Sequence, residues 1–299
     1  MRLLRPALRA DRRRGRRGGA RLTAATLVGI VKDERPYLLE WVAYHRLIGF
    51  DRIRLYSNDC SDGTDELLDR MQAAGLVEHR PWPSVPGASA QRTAYADALA
   101  DCATEWIMWL DADEFLDLPA DTTLAPFIDR FGDETAAVAI CWRLFGSGGQ
   151  AVRGPQPVIQ RFTRAAPADH NLNRHIKTLA RAADVVGVGV HGVELKRGTY
   201  ALPDGTPYKL HRGAFAWPRY DLARVCHYVV RSREEFEEKC RRGDANLPPE
   251  APDKAATRGA AFFEAHDRNE EEDRSMLRHL PALQDEMRRI GALIGDTKR

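Results

Sequence analysis

Three kinds of sequence signal are missing from this 299-residue chain, and each absence argues against a class of protein. No apolar run approaches the roughly 18 to 20 residues that cross a bilayer, and we expect no signal peptide. The five cysteines are odd in number and include no C-x-x-C pair, which argues against a zinc ribbon or a disulfide framework. No G-x-G-x-x-G follows the first predicted strands and no Walker A sequence is present, so neither dinucleotide nor P-loop binding is supported. We therefore expect reduced thiols and a cytoplasmic location.

Positive charge is concentrated at the N-terminus. Residues 1–21 contain nine arginines and one acidic residue, Asp11, for a local charge of +8, so the rest carries −6 of the total +2 (2 − 8). Such a segment is attracted to anionic membranes or nucleic acid, or is a dispensable extension. We predict a disordered basic tail over residues 1–22, with peripheral contact to an anionic membrane at its inner face and no nucleic-acid partner.

The first half of the folded region alternates between strand-like and helix-like segments. Strands are predicted at 26–31, at 52–57, around Val77 and from Trp106, with helices after Pro36, after Gly63 and over 89–102. Strands that alternate with helices at this spacing form βαβ units and a mostly parallel sheet. The fold class is therefore α/β.

The second half is predicted to be more mixed. A capping box at Ser232 to Glu235 opens a helix that ends at Arg242, and a Pro-rich break at 248–253 precedes a charged helical tail. We predict one α/β domain over 23–245 and a C-terminal helical extension over 246–299. Further strands are expected at 136–142, 158–162, 175–181, 185–190 and 193–195.

The most informative segment is WIMWLDADEF, residues 106–115, in which an apolar strand stops at three carboxylates. A buried parallel strand delivers its C-terminal end to the edge of the sheet where ligands bind. Asp111 and Asp113, two apart on an extended backbone, point to one side and repel each other. A Mg²⁺ or Mn²⁺ ion shared with a substrate phosphate is the simplest relief. This pattern predicts metal-assisted chemistry on a phosphorylated substrate.

Three basic side chains are considered as phosphate contacts at the same site. Arg92 opens the helix that precedes the acidic strand, where it could grip a diphosphate, although a surface position is the commoner one. Lys177 and Arg181 share one face of a predicted strand, where they could also face phosphate, but we expect them to be exposed on the surface.

Taken together, these segments resemble family 2-type glycosyltransferases, and more narrowly the bacterial group related to domain-of-unknown-function 23 and family 92 glycosyltransferases. Any one segment is a weak signal, but their order and spacing are fairly specific. The matching segments are VKDE (31–34), YLLEW (37–41), SDGT (61–64), WIMWLDADEF (106–115), WRLFGSGG (142–149) and CHY (226–228).

The resemblance implies a GT-A fold, an α/β/α sandwich with a mixed, mostly parallel sheet that holds a nucleotide sugar and Mn²⁺ or Mg²⁺. It also implies a hexosyltransferase-type enzyme that moves a sugar from a UDP- or GDP-sugar to a glycan or lipid-linked hydroxyl, with inversion, in polysaccharide biosynthesis. The implied metal ligands are Asp111 and Asp113, joined by His191 or His227, and the implied nucleotide-sugar contacts are Asp33, Glu34, Asp59 and Asp111.

The catalytic base is the part of the pattern that is hardest to place. An inverting enzyme needs a carboxylate base, and Glu114 and Glu194 are the candidates; Gln160 stands where a glutamate is expected. A non-catalytic nucleotide-sugar- or carbohydrate-binding protein of the same fold is therefore an alternative. A sugar nucleotidyltransferase is another, although a Gly-rich loop after the first strand is lacking.

Overall fold

The computed structural model describes residues 24–210, 215–243, 245–248 and 259–296. The predicted basic tail over 1–22 lies outside these residues. The strands are β1 Ala25–Val31, β2 Arg52–Ser57, β3 Glu78–Pro81, β4 Trp106–Trp109, β5 Glu114–Asp117, β6 Thr135–Leu144, β7 Arg164–Ala165, β8 Ile176–Arg181, β9 Val185–Val188, β10 Val193–Leu195, β11 Thr199–Ala201, β12 Pro207–Tyr208, β13 Arg224–His227 and β14 Glu271–Glu272. The helices are α1 Arg35–Leu47, α2 Thr64–Ala73, α3 Ala90–Ala100, α4 Leu124–Ile128, α5 Val158–Arg161, α6 Arg233–Arg242, α7 Ala260–His266 and α8 Leu280–Leu293.

Ten strands form one mixed sheet. Eight lie side by side in the order β12-β11-β6-β8-β4-β1-β2-β3, and β13 joins β6 to β5. Among the described strands of this sheet, five of the nine pairings are parallel: β1 with β2 and β4, β2 with β3, and β6 with β11 and β13. The predicted α/β class with a mixed, mostly parallel sheet is confirmed.

Helices cover both faces of the sheet. Along β1, Leu27 and Val31 are buried in one core cluster, which also contains residues of α1, α2 and α8. Val28 and Ile30 point to the other face and are buried in a second cluster with α3. This alternation follows from the two-residue period of a strand. It makes the chain a three-layer α/β/α structure.

Most predicted elements are present with nearly the expected bounds. β2 and β10 match their predicted ranges, and α6 begins with the predicted capping box between Ser232 and Glu235. The predicted division into a domain over 23–245 and an extension over 246–299 stays a prediction. Within the described part of that extension, α7 and α8 are helical, and Pro281 lies in the first turn of α8.

The predicted strand at 158–162 is wrong, because the segment forms the short helix α5. Its first two backbone N–H groups, of Val158 and Ile159, donate to the carboxylate of Glu40 at 2.6 and 3.1 Å. A helix leaves its first N–H groups without intrahelical partners, so an acceptor at this position stabilises the helical form. Glu40 belongs to α1, 118 residues earlier in the chain, so local sequence could not reveal it.

The topology brings several loops to one edge of the sheet. Because β1, β2 and β4 are parallel, the loops that follow them open at the same end. These loops carry Lys32 and Glu34, Asp59, and the acidic turn of Asp111 to Glu114. Helix α6, which follows β13, also contributes side chains at this edge.

Candidate functional site

A cavity of about 410 Å³ opens at this edge of the sheet. Its charged side chains and its rings come from different elements. The charged ones follow β1 and β4 or lie on α6: Lys32, Glu34, Asp111, Asp113, Lys239 and Arg242. The rings lie on or next to β6, β8 and β13, in the loop before β10, or on α7: Trp142, His175, His191, His227, Phe262 and His266.

Residues 111–114 form a turn rather than the predicted extended strand end. β4 ends at Trp109 and β5 begins at Glu114, whose backbone N–H donates to the Asp111 carbonyl at 3.0 Å. The indole N–H of Trp41 donates to the carbonyls of Asp111 and Glu114 at 3.1 and 2.9 Å, which fixes the turn from α1. The turn places three carboxylates close together, of which those of Asp113 and Glu114 are buried and that of Asp111 is part-buried.

Asp111 is held by a buried lysine. The ammonium of Lys177, 1% exposed, lies 2.9 Å from Asp111 Oδ2, while Gln91 Nε2 and the Tyr95 hydroxyl donate to Oδ1 at 2.8 and 3.3 Å. Burial would raise the pKa of Asp111, but the Lys177 charge holds it below its usual value. Our expectation of a surface position for Lys177 is wrong, because β8 is a central strand with both faces covered. Arg181, at the end of the same strand, is partly exposed and pairs with Glu105.

Asp113 has a second lysine as its counter-ion. The Lys239 ammonium, which also donates to the Val229 carbonyl at 3.0 Å, bonds to Asp113 Oδ2, and His227 Nε2 lies 3.7 Å from Oδ1. Burial opposes ionisation, yet Lys239 and then His227 keep the pKa of Asp113 well below its usual range. Both aspartates are therefore ionised and neutralised by the protein itself.

Glu114 is fully buried behind the turn and does not line the cavity. Its Oε2 accepts from the Asp111 backbone N–H at 2.9 Å and lies 3.0 Å from the Lys177 ammonium, while Oε1 has no hydrogen-bond partner among the described residues. Burial raises its pKa to about 7. The structure thus places Glu114 where it orients Lys177 and the turn.

Glu34 carries the charge of the loop after β1 into the cavity. It forms ion pairs with Arg242 and, at 3.1 Å, with Arg231, whose guanidinium stacks 3.4 Å from the centre of the Tyr37 ring. Burial alone would raise the pKa of Glu34, but the charges of Arg242 and Arg231 hold it below its usual value. The ion pair between Glu34 and Arg242 connects the loop after β1 to α6.

The other predicted nucleotide contacts lie around the cavity rather than in its wall. Asp33 lines a neighbouring cavity, and its Oδ1 accepts from the Ser61 backbone at 2.6 Å. Asp59 is exposed and accepts from the backbone N–H of Ser84, and Arg92 is exposed on α3. Their predicted roles stay predictions.

The structure places both predicted histidines in the cavity wall but leaves the second predicted base, Glu194, outside it. His191 and His227 both line the cavity, and His191 Nδ1 lies 3.1 Å from the Ile176 carbonyl, so that nitrogen is the donor and Nε2 is left as the acceptor. Glu194 is exposed on β10 and is not part of the cavity wall. Neither Glu114 nor Glu194 lines the cavity, and their role as the base stays a prediction.

The donor set partly fits a divalent ion. Asp111, Asp113 and His227 supply the oxygen and nitrogen donors that Mn²⁺ accepts, and all three line one cavity. Within the described residues, however, no three such side chains converge closely enough to hold an ion as they stand. Lys239 occupies Asp113 Oδ2, so an ion at Asp113 would have to bind Oδ1, on the side of His227, or replace Lys239.

Lys239 is the functional residue that sequence reasoning missed. It lies three residues after Phe236, on the buried side of α6, which is otherwise strongly charged. The sequence signal for this role was a lysine on the apolar side of a capped helix. A charge at such a position is buried and needs a partner of opposite charge. The partner lies 126 residues away, beyond the reach of local patterns.

Replacing Lys177 by Met should lower the free energy of unfolding by about 3 to 5 kcal/mol. The substitution keeps the apolar stem but leaves the buried Glu114 and the part-buried Asp111 without their counter-ion, and breaking a buried ion pair costs that much. Urea unfolding measures the change. Lys196→Met, at an exposed position, is the matched control and should change stability by less than about 0.5 kcal/mol. A loss below about 1 kcal/mol in Lys177→Met would contradict the proposed role of this ion pair.

Comparison with known proteins places the chain in a family. The sequence model of glycosyltransferase family 92 matches residues 27–211. A family 92 protein of Ricinus communis is 24% identical over 241 residues, 75% of this chain and 40% of that protein. One of Oryza sativa subsp. japonica is 26% identical over 172 residues, 56% of this chain and 29% of that protein. The chain thus spans between 29% and 40% of the length of these relatives.

Solved structures resemble the chain more distantly. The mannosyltransferase PcManGT from Pyrobaculum calidifontis, in complex with GDP-Man and Mn²⁺, aligns with a TM-score of 0.40 and 12% identity over 92% of this chain and 76% of that one. TarS 1–349 of S. aureus, in complex with UDP-GlcNAc, aligns with a TM-score of 0.34 and 13% identity over 54% of this chain and 46% of that one. The family match confirms the resemblance seen in the sequence: this chain belongs to glycosyltransferase family 92.

Proposed function

We propose that this protein transfers a sugar from a nucleoside diphosphate sugar to an acceptor hydroxyl. The observation that carries the proposal is the cavity at the C-terminal ends of β1 and β4, where the acidic turn faces basic side chains. Lys32 and Arg242 supply charges that suit a diphosphate, and membership of family 92 supports a sugar as the group transferred. The donor is proposed to be a UDP- or GDP-sugar, and the attack to be in line, with inversion at the anomeric carbon.

The charge balance of the cavity supports a divalent ion bound together with the donor. The lining contains three cations, Lys32, Lys239 and Arg242, and three carboxylates, Glu34, Asp111 and Asp113. A diphosphate adds negative charge to a site that is already balanced, and Mn²⁺ or Mg²⁺ offsets that charge. When bound, the ion would neutralise charge that develops on the leaving diphosphate.

The chain's own residues then have distinct tasks. Asp111, Asp113 and His227 would hold the ion, while Lys177 and Gln91 keep the Asp111 carboxylate in a fixed orientation. Lys239 also lines the cavity and would pair with a phosphate oxygen of the donor. Arg231 and Arg242 hold Glu34 and so fix the loop after β1.

A second candidate function is nucleotide-sugar binding without turnover. The described carboxylates of the cavity wall, Glu34, Asp111 and Asp113, are all ion-paired, and none is left over as a base. A protein that kept the fold and lost the base would show this arrangement. The nucleotidyltransferase alternative receives no support from the family match.

Replacing Asp113 by Asn should reduce release of nucleoside diphosphate from the donor by about 100-fold or more. The change is nearly isosteric, but it removes the charge that would hold the ion, and one lost electrostatic stabiliser costs about this factor. The assay measures UDP or GDP released from a panel of UDP- and GDP-sugars in the presence of Mn²⁺.

Asp285→Asn, at an exposed position of α8, is the matched control and should retain full activity. Circular dichroism must show that both variants are folded. Turnover of Asp113→Asn within a few-fold of the unmodified protein would contradict the proposed transferase site. Binding of a nucleotide sugar with no turnover in the unmodified protein would favour the second candidate.

Peripheral attachment to the cytoplasmic face of a membrane, where a lipid-linked acceptor would lie, is part of the proposal. None of the described helices combines the length and the apolar character needed to cross a bilayer. The nine arginines of residues 1–21 provide the charge for attraction to anionic lipid, worth about 1 kcal/mol each near the surface.

Deleting residues 1–21 should weaken co-sedimentation with vesicles that contain anionic phosphatidylserine, and the effect should fade as salt rises from 50 to 300 mM, because screening shortens the reach of the charges. Vesicles of neutral phosphatidylcholine are the control. Equal sedimentation of the full and shortened chains at low salt would remove the membrane contact from the proposal.

A further inference from the structure

A strip of rings leads from the acidic turn to the protein surface. The rings of His227 and Trp142 lie 4.3 Å apart between centroids, those of Trp142 and His175 4.8 Å, and those of His175 and Phe215 4.4 Å. Trp217 lies two residues after Phe215. The guanidinium carbon of Arg174, the residue before His175, lies 4.3 Å from the centre of the Trp217 ring. We call His227, Trp142, His175, Phe215 and Trp217 the ring strip.

The strip begins inside the candidate site and ends in solvent. His227 Nε2 lies 3.7 Å from Asp113 Oδ1, and both His227 and Trp142 are over nine-tenths buried. Phe215 is 38% exposed, and Trp217 is 64% exposed. Large aromatic side chains at such exposure stand out, because only six large hydrophobic residues of the described chain are exposed. The exposed end thus adjoins the cavity through His175, which lines it and contacts Phe215.

The buried end also contains polar atoms without partners. Trp142 Nε1, His175 Nδ1 and His227 Nδ1 have no hydrogen-bond partner within the described part of the chain and almost no contact with water. A buried polar group that is left unpaired costs about 1 to 3 kcal/mol. The buried end of the strip thus has an unmet hydrogen-bonding capacity next to the cavity, although these nitrogens are closed to water in this conformation.

The chemistry of the strip differs from that of the charged side of the cavity, which is proposed to hold the diphosphate. Lys32 follows β1, and Lys239 and Arg242 lie on α6. The strip is instead built on β6 and β13, on the residue before β8 and on the segment between β12 and β13. Aromatic faces with a few polar atoms suit a ligand that combines apolar C–H faces with hydroxyls. A pyranose has this composition, and a strip of several rings offers more contact than one sugar unit uses.

We propose that the ring strip binds the acceptor and that the acceptor is a glycan of several sugar units, with its reacting end at the acidic turn and its remaining units along Phe215 and Trp217. This inference rests on the proposed transferase function and adds the class of acceptor. It gives Trp217 and Phe215 the role of binding the sugar units of a longer acceptor, away from the proposed donor site.

The test measures affinity against acceptor length. Linear oligosaccharides of glucose, mannose, galactose and N-acetylglucosamine, from one to five units, are titrated into the full chain, Trp217→Ala and Phe215→Ala. In the unmodified protein, at least one series should bind 10-fold or more tightly at four units than at one. The gain should fall below threefold in both variants. Leu293→Ala, a 55% exposed position on α8, is the control and should keep the full gain.

Binding of UDP and GDP, measured on the same samples with Mn²⁺, separates this inference from the proposed function. Intact nucleotide binding with no length-dependent glycan binding in any series, or with a gain that survives in Trp217→Ala, overturns the acceptor inference alone. Length-dependent glycan binding without nucleotide binding overturns the transferase proposal and leaves a carbohydrate-binding strip. Exposed single substitutions at positions 215 and 217 are expected to leave the core intact.

Discussion

The arrangement of the whole site depends on two buried lysines that neutralise one acidic turn. Three carboxylates within four residues cannot share a buried turn unless nearby cations offset their repulsion. Lys177, from the centre of the sheet, bridges Asp111 and Glu114, and Lys239, from α6, reaches Asp113. These contacts join the two halves of the chain, since β4 and the turn come from the first half and both lysines from the second.

The same contacts divide the cavity into two chemical regions. On one side, α6 and the loop after β1 bring Lys239, Arg242 and Glu34 together, so that this region is charged and closely balanced. On the other side, β6, β13 and the loops before β8 and β10 present Trp142, His175, His191 and His227, and this region is mainly aromatic. Two substrates of different character, a diphosphate-linked sugar and a hydroxyl-rich acceptor, would each find a matching region next to the acidic turn.

Much of the fold and the location of the site could be predicted from local sequence. The βαβ alternation, the capping box at Ser232 and the abrupt end of the Trp106 strand are all local signals, and the elements they predict are present. The errors share one cause, which is a partner far away in sequence. Residues 158–161 are helical because Glu40 accepts from their N–H groups, and Lys177 is buried because Asp111 and Glu114 lie opposite it. Lys239 went unnoticed for the same reason.

The central claim is that the acidic turn binds a nucleoside diphosphate together with a divalent ion, and calorimetric titration tests it most directly. UDP and GDP are titrated, with and without Mn²⁺, into the unmodified chain and into the double variant Asp111→Asn/Asp113→Asn. The account predicts that one nucleotide binds at least 10-fold more tightly with Mn²⁺ and that this gain disappears in the double variant. Absence of binding by either nucleotide to the folded protein with Mn²⁺, or equal binding by the double variant, would contradict it and make the turn a purely structural feature.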